Sequence, residues 1–331
     1  MGLSEAFAIV RLNYQGSKYL KIKIINQRNM KRELLLGLGL LLIASFAKAQ
    51  WEKPIDNFTY GFTEGKVKTL KGTNEVQEYF SKGSSSVLGS PSAGMAKLFI
   101  PANSTGGFVI DPAANSLTLM GSAGGSTKFS VYNTKINSPI VSTTFIANFS
   151  NPDAQKATYF FSTGTNGSLY NGKSAIYTGA NSGGALFNAL KFSYGINGVT
   201  LGNRTLGDAR GTDVPLMGGV LKFNTAYKFE LYMNNSNDLT EYKRADTEFK
   251  VAPKSYHLWV TNLVDLKFTQ YTYEGSADLV RPTETNATNS EDATILVNTP
   301  LNAFLFQSIN SKENTSSMMI NGNIEIVSSK K

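Results

Sequence analysis

Ala226-Tyr227-Lys228-Phe229-Glu230-Leu231-Tyr232-Met233 is the stretch that decides the fold class. Tyr227, Phe229, Leu231 and Met233 occupy every second position, with Lys228, Glu230 and Tyr232 between them. A period of two puts the first set on one face of a strand and the second set on the other. One face toward a core and one toward water is how antiparallel sandwich strands read. Leu190-Lys191-Phe192-Ser193-Tyr194 repeats the pattern, its apolar face formed by the first, third and fifth residues.

Outward from these two segments the chain keeps one rhythm. Short apolar or aromatic runs such as Gly107–Ile110, Ser116–Met120, Lys128–Tyr132, Val141–Phe149, Ala157–Phe161, Tyr256–Val260, Leu301–Phe306 and Met318–Val327 alternate with Gly, Asn, Ser and Pro clusters. This spacing predicts many strands joined by turns. No helical period persists beyond the leader, although Asn74 to Lys82 reads as one short helix. A strand is expected at Phe58–Phe62, followed by a polar surface excursion to about residue 95. Arg281 to Asp292 holds no apolar run and reads as a loop.

The N-terminal region has a different logic. Lys31 and Arg32 precede the 13-residue apolar run Leu34–Phe46, and Ala47-Lys48-Ala49 follows it. That order is a secretory signal peptide over 30–49, with cleavage expected between Ala49 and Gln50. The run is shorter than the roughly 20 residues a membrane span needs. No stable span is therefore expected after cleavage, and a periplasmic or extracellular location follows. Residues 1–29 read as an over-extended or disordered segment ahead of Met30. The expected organisation is 1–29, the leader 30–49, an N-terminal strand and surface excursion over 50–95, and a sandwich domain over 96–331.

Charge must be counted without the leader. The chain carries a net +8, but residues 1–49 hold eight basic and two acidic residues, so the remainder carries only +2. A nucleic-acid partner, which requires a dense cationic face, is not expected. The chain has no cysteine, hence no disulfides and no lipid-modified cysteine, which suits an exported bacterial protein.

The segment order resembles the concanavalin A-like (jelly-roll, LamG-like) β-sandwich of exported bacterial proteins. Three places carry the likeness: Gly94 to Tyr132; Ala226 to Asn235 followed by Tyr256-His257-Leu258-Trp259-Val260; and Phe304 to Ser308 leading into Ile320-Asn321-Gly322-Asn323-Ile324-Glu325-Ile326. The resemblance covers roughly 95–327. It implies an all-β, antiparallel jelly-roll sandwich whose first and last strands lie close together. The final strand of that superfamily often carries an acidic pair; Asn321 and Asn323 stand here instead, which weakens a metal site at that place.

Glycoside hydrolysis needs a carboxyl pair flanking the scissile bond, and no Glu-x-Asp-x-Glu alternation exists. Asp246 and Glu248 sit in the charged stretch Glu241–Lys250, which reads as a solvated edge. The Gln-Ile-His and Arg-x-Glu-x-Arg signatures of polysaccharide lyases on this fold are absent. A single histidine and no cysteine leave zinc, copper and iron without their usual ligands. No cofactor is expected, with a structural calcium held by loop oxygens left open.

What remains is a chain rich in Tyr, Asn, Ser and Thr, a composition suited to sugars, which take aromatic faces and amide or hydroxyl hydrogen bonds. The expected function is non-catalytic binding of carbohydrate or cell-surface polymer. The alternatives are a glycan-cleaving enzyme of the same fold and a structural or adhesive surface subunit. Candidate ligand-binding positions are Tyr170, Tyr177, Lys191, Arg204, Glu230, Tyr232, Asn234, Asn235, His257 and Trp259. Among them the polar face bearing Lys191, Ser193, Lys228, Glu230 and Tyr232 is the expected glycan surface.

Overall fold

A computed structural model describes residues 50–330 except 52, 72–74, 82–86, 103, 122, 124, 154–155, 174–175, 177–184, 205–212, 245, 274–294 and 311–314. The leader, Tyr177 and the loop expected at Arg281–Asp292 lie outside the described residues. Two large antiparallel sheets face each other. The first runs β13 (Asp213–Leu221), β12 (Val199–Arg204), β11 (Leu186–Tyr194), β10 (Ala157–Gly164), β19 (Ala303–Asn310), β8 (Gly125–Tyr132), β5 (Met95–Ile100) and β4 (Val76–Ser81). The second runs β18 (Phe268–Tyr273), β17 (Ser255–Asn262), β14 (Ala226–Asn234), β9 (Ile140–Ser150), β20 (Ser317–Ser329), β7 (Ser116–Met120), β6 (Gly107–Asp111) and β3 (Lys68–Lys71).

β2 (Pro54–Tyr60) pairs with the second half of β20, so the first long strand lies beside the last, as expected. β20 can serve β7 and β2 in succession because its register shifts between Asn321 and Glu325. Gly322 sits at that break with φ 71°, a conformation that favours glycine. A third, small sheet joins β1 (Gln50–Trp51), β15 (Thr240–Arg244) and β16 (Thr247–Val251). The antiparallel jelly-roll sandwich expected from sequence is the architecture observed, consistent with the concanavalin A-like fold. Among the described residues the helix content is one turn, Ser168–Asn171.

The alternation read from sequence is realised side chain by side chain. Tyr227, Phe229, Leu231 and Met233 of β14 all enter the main core, together with Tyr256, Leu258 and Val260 of β17. Phe145 on β9 stacks on Phe229 at 4.9 Å and meets Phe161 and Phe306 of the opposite sheet at 4.5 and 5.1 Å. Such ring pairs add about 0.5–1.5 kcal/mol each beyond area burial. They lock the two sheets face to face.

Two readings of the N-terminal part change. Asn74–Lys82 was expected as a helix, but Val76–Ser81 is strand β4 and pairs with β5. Its Phe80 drops into the core while Tyr79 faces outward, a period-two arrangement that a six-residue segment hides easily. The polar excursion also supplies β3 and β4, one end strand for each sheet, and Val87 and Leu88 from it are core residues.

Candidate functional site

The outer face of the second sheet carries four of the ten positions singled out from sequence. Glu230, Tyr232, His257 and Trp259 do share that face, across the β14–β17 register Glu230↔Trp259 and Tyr232↔His257. The small sheet covers them. Trp51 from β1 and Tyr242 from β15 pack on Tyr232, and Tyr242 stacks on it at 3.7 Å with rings 5° from parallel. The Trp259 indole N–H donates to the Tyr242 hydroxyl at 2.7 Å, and that hydroxyl lies 3.0 Å from His257 Nδ1.

Charge on this face is paired, one carboxylate with two cations. Glu230 is bridged by Lys228 Nζ at 3.0 Å and by Arg244 Nη2 at 3.2 Å, and the Arg244 guanidinium lies 4.2 Å over the Trp259 ring. Burial, then the Glu230 carboxylate, pushes the Tyr232 hydroxyl well above the ordinary phenol range, and burial does the same to Tyr242. Both phenols therefore stay neutral. With Glu230, Tyr232, His257 and Trp259 all buried, this cluster cements the small sheet to the second sheet and offers no open surface.

Asn234 and Asn235 are also buried, as loop organisers. Asn234 Nδ2 donates to the carbonyls of Asp238, Val251 and Ala252, and Asn235 Nδ2 to those of Leu296 and Thr299. The expected common polar face does not exist. β11, with the half-buried Lys191 and Ser193, belongs to the first sheet, and β14 to the second. Each strand turns its apolar side to the shared core, so their polar sides point away from each other. Arg204 closes β12, and its side chain lies outside the described set.

Tyr170 sits on the other outer face. The segment Gly167–Lys173, here called the strap, contains the one-turn helix and lies over β5 and β8. Tyr170, Leu169 and Ile176 pack with Tyr132, Phe160 and Leu305 in a satellite cluster. Tyr170 is wholly buried, and burial drives its hydroxyl pKa up.

An open surface exists elsewhere, beside the end of β2. A depression of about 500 Å³ is bordered by the turn after Tyr60 and by the segment Gly89–Ser92. Thr59, Thr63, Ser90 and Ser92 bring hydroxyls to it, and Glu64 brings its one carboxylate. The Tyr60 hydroxyl donates to the Gly89 carbonyl at 2.9 Å and ties the two walls together. Burial, then the Glu64 charge, raises the Tyr60 pKa, so this tie remains a neutral donor.

The walls are fixed by close approach. Gly65, at φ 111°, forms a bridge with Leu88, and a Cβ there would lie 2.4 Å from the Val87 carbonyl oxygen. A Cβ on Gly89 would meet the Glu64 Cβ at 2.5 Å, so glycine lets the carboxylate stem pack against this wall. The amide side chain of Asn115 accepts the Phe62 N–H at 2.7 Å and donates to Asn323 Oδ1 at 3.2 Å, pinning the turn from below. None of the lining residues was singled out from sequence. The available signal was weak: a Gly-x-x-x-Gly turn and the Gly89-Ser90-Pro91-Ser92 run, both of which read as ordinary loop.

No family model matches this chain, and no curated protein matches it in sequence. Among solved structures it is similar to lectin II from Ulex europaeus, at 8% identity and TM-score 0.38, covering 82% of this chain and 98% of that one. The lectin from Bauhinia forficata in complex with GalNAc has 9% identity and TM-score 0.39, covering 83% and 100%. Alginate lyase vAL-1 from Chlorella virus has 8% identity and TM-score 0.36, covering 68% and 89%. Among the described residues no helix is long and apolar enough to cross a membrane.

Proposed function

We propose that this protein is an exported β-sandwich that binds carbohydrate without cleaving it, at the depression beside β2. The observation that supports the reading is the lining: four hydroxyl side chains and one carboxylate around an open cavity of about 500 Å³. Hydroxyls and a carboxylate form the cooperative, directional bonds that a polyol requires. Glycosidic cleavage by the usual route needs two carboxyl groups about 5–9.5 Å apart, whereas Glu64 is the one carboxylate in this lining. Secretion follows from the leader at 30–49 and belongs to the same proposal.

The test is calorimetric titration with a panel of neutral and acidic oligosaccharides, run beside reducing-sugar and unsaturated-product assays. Binding of at least one glycan without turnover is expected, weakened at least tenfold by Glu64→Ala. Turnover by the wild type would overturn the non-catalytic reading in favour of a glycan-cleaving enzyme. Binding that survives Glu64→Ala together with Ser90→Ala would move the site off the depression. Lys191→Ala, on the opposite sheet from β2, is the companion variant for that outcome.

A further inference from the structure

Two lysines of the first sheet are buried beneath the strap, and their ammonium groups reach its backbone carbonyls. Lys97 and Lys128 extend outward from β5 and β8, opposite to the core-facing Leu98 and Phe129, and are 0% and 1% exposed. Lys97 Nζ donates to the carbonyls of Asn171 at 2.9 Å and Gly172 at 3.0 Å. Lys128 Nζ donates to those of Leu169 at 2.6 Å and Gly172 at 2.8 Å. Ser130 Oγ donates to the Tyr170 carbonyl at 2.7 Å. Four consecutive carbonyls, 169 to 172, are thus gripped by one sheet face. They belong to a helix end, where carbonyls lack partners along the chain.

A peptide carbonyl is a modest acceptor for an ammonium group. A carboxylate or sulfate oxygen forms a charge-assisted bond roughly twice as strong as a neutral pair. It would also offset the repulsion of two lysines that share the Gly172 oxygen. A further donor stands in the same layer. Gln307 on β19 is directly opposite Lys128, its Oε1 takes the Ile176 N–H at 3.0 Å, and its Nε2 is buried with no hydrogen-bond partner among the described residues. Buried donors of this kind require an explanation.

We propose that the strap Gly167–Lys173 is a displaceable cover, and that Lys97, Lys128 and Gln307 beneath it form a binding site for an anionic saccharide bearing carboxylate or sulfate groups. The strap carbonyls hold the places that the anion's oxygens take. The saccharide part rests on the carbohydrate reading above; the anion part rests on the lysines alone, and the site does not use the Glu64 depression.

Hydrogen exchange at the amides of Tyr170, Asn171 and Gly172, which close the strap's own turn, reads displacement directly. The probes are polygalacturonate, dextran sulfate, neutral dextran and inorganic sulfate. Exchange at these three amides should rise at least tenfold with one or both acidic polymers and stay unchanged with dextran. Comparing the two acidic polymers assigns the anion to carboxylate or to sulfate. The response should persist in Glu64→Ala, which separates failure of this site from failure of the depression, and should vanish in Lys97→Gln/Lys128→Gln. An equal response to inorganic sulfate would overturn the saccharide assignment, and no response to any probe would overturn the whole proposal. Should the double variant fail to fold, Ser130→Ala removes one strap bond and keeps both lysines. Its strap should exchange faster and bind the acidic polymer more tightly, and an unchanged affinity would count against displacement.

Discussion

The two outer faces of this sandwich solve the same problem in opposite ways. Each carries a satellite apolar cluster under a covering segment, and each holds cationic side chains there, buried on the first sheet and half-buried on the second. On the second sheet, the cover brings Arg244 to a buried carboxylate, Glu230, which Lys228 also reaches. On the first sheet, Lys97 and Lys128 meet carbonyl oxygens of the strap. The first arrangement pairs its cations with a carboxylate, and its parts hold one another in place. The second sets positive charge against carbonyl oxygens and, at Lys97, the Tyr79 ring, and burial and the neighbouring Lys97 charge lower the Lys128 pKa to about 7. One face is therefore held by ion pairs and the other by a titratable contact.

The largest test of that contrast is Glu230→Ala. It removes the buried carboxylate that half-buried Arg244 and Lys228 reach and should cost about 3 kcal/mol in chemical denaturation, the low end for a broken buried pair. A loss below about 1 kcal/mol would show that water screens the joint, and the contrast would collapse. Next comes Tyr242→Phe, which removes the acceptor of the Trp259 N–H and the hydroxyl beside His257. Leaving a buried donor unsatisfied should cost about 1–3 kcal/mol.

The strap face is sharpened by pH. Lys128 in the folded protein binds its proton less tightly than in the unfolded chain, whose ordinary value is 10.5. Between pH 7 and 10 the unfolded state therefore holds more protons, and stability should rise with pH by at most about 1.4 kcal/mol per unit. Among the described residues Lys97 on β5 is the charged group that acts on it, and Lys97 in turn lies over the ring of Tyr79 on β4. Above pH 10 the buried tyrosines, whose pKa values are raised, reverse the slope. Denaturation midpoints across this range should show the rise in the wild type and a flatter line in Lys128→Met. Equal slopes would remove Lys128 from the account.

The smallest effect belongs to the exposed side of the small sheet. Lys243 and Glu248 pair across β15 and β16 at 3.1 Å with side chains 58% and 62% exposed. A double-mutant cycle to Ala there should give a coupling below about 1 kcal/mol. A coupling as large as the Glu230 effect would mean that the charged rim, and not the buried carboxylate, holds the cover down.

Legibility differed sharply along the chain. In β14 and β17 the alternating residues stood in the sequence as they stand in the fold, because period two is a local property of an extended backbone. Lys128-Phe129-Ser130-Val131 alternates just as well, yet its polar face does not reach water, since the strap arrives from 40 residues away. Glu241–Lys250 read as a solvated edge, and one side of it is: Lys250 and Glu241 pair at 2.9 Å in the open. Its other side carries Tyr242, which closes the Trp259 cluster. One hairpin served both roles, and charge content alone reported only the first.

From the amino-acid order alone came the all-β class, the antiparallel pairing and the inward set of each strand. These depend on backbone periodicity and on the transfer of apolar side chains out of water, both written residue by residue. Which polar faces stay open, where Glu230 finds its cations, and how Gly61–Glu64 meets Gly89–Ser92 to shape a depression were decided by tertiary structure. Each depends on contacts between segments distant in the chain. A strand's outward face has the same pattern whether water or another part of the protein comes to lie against it.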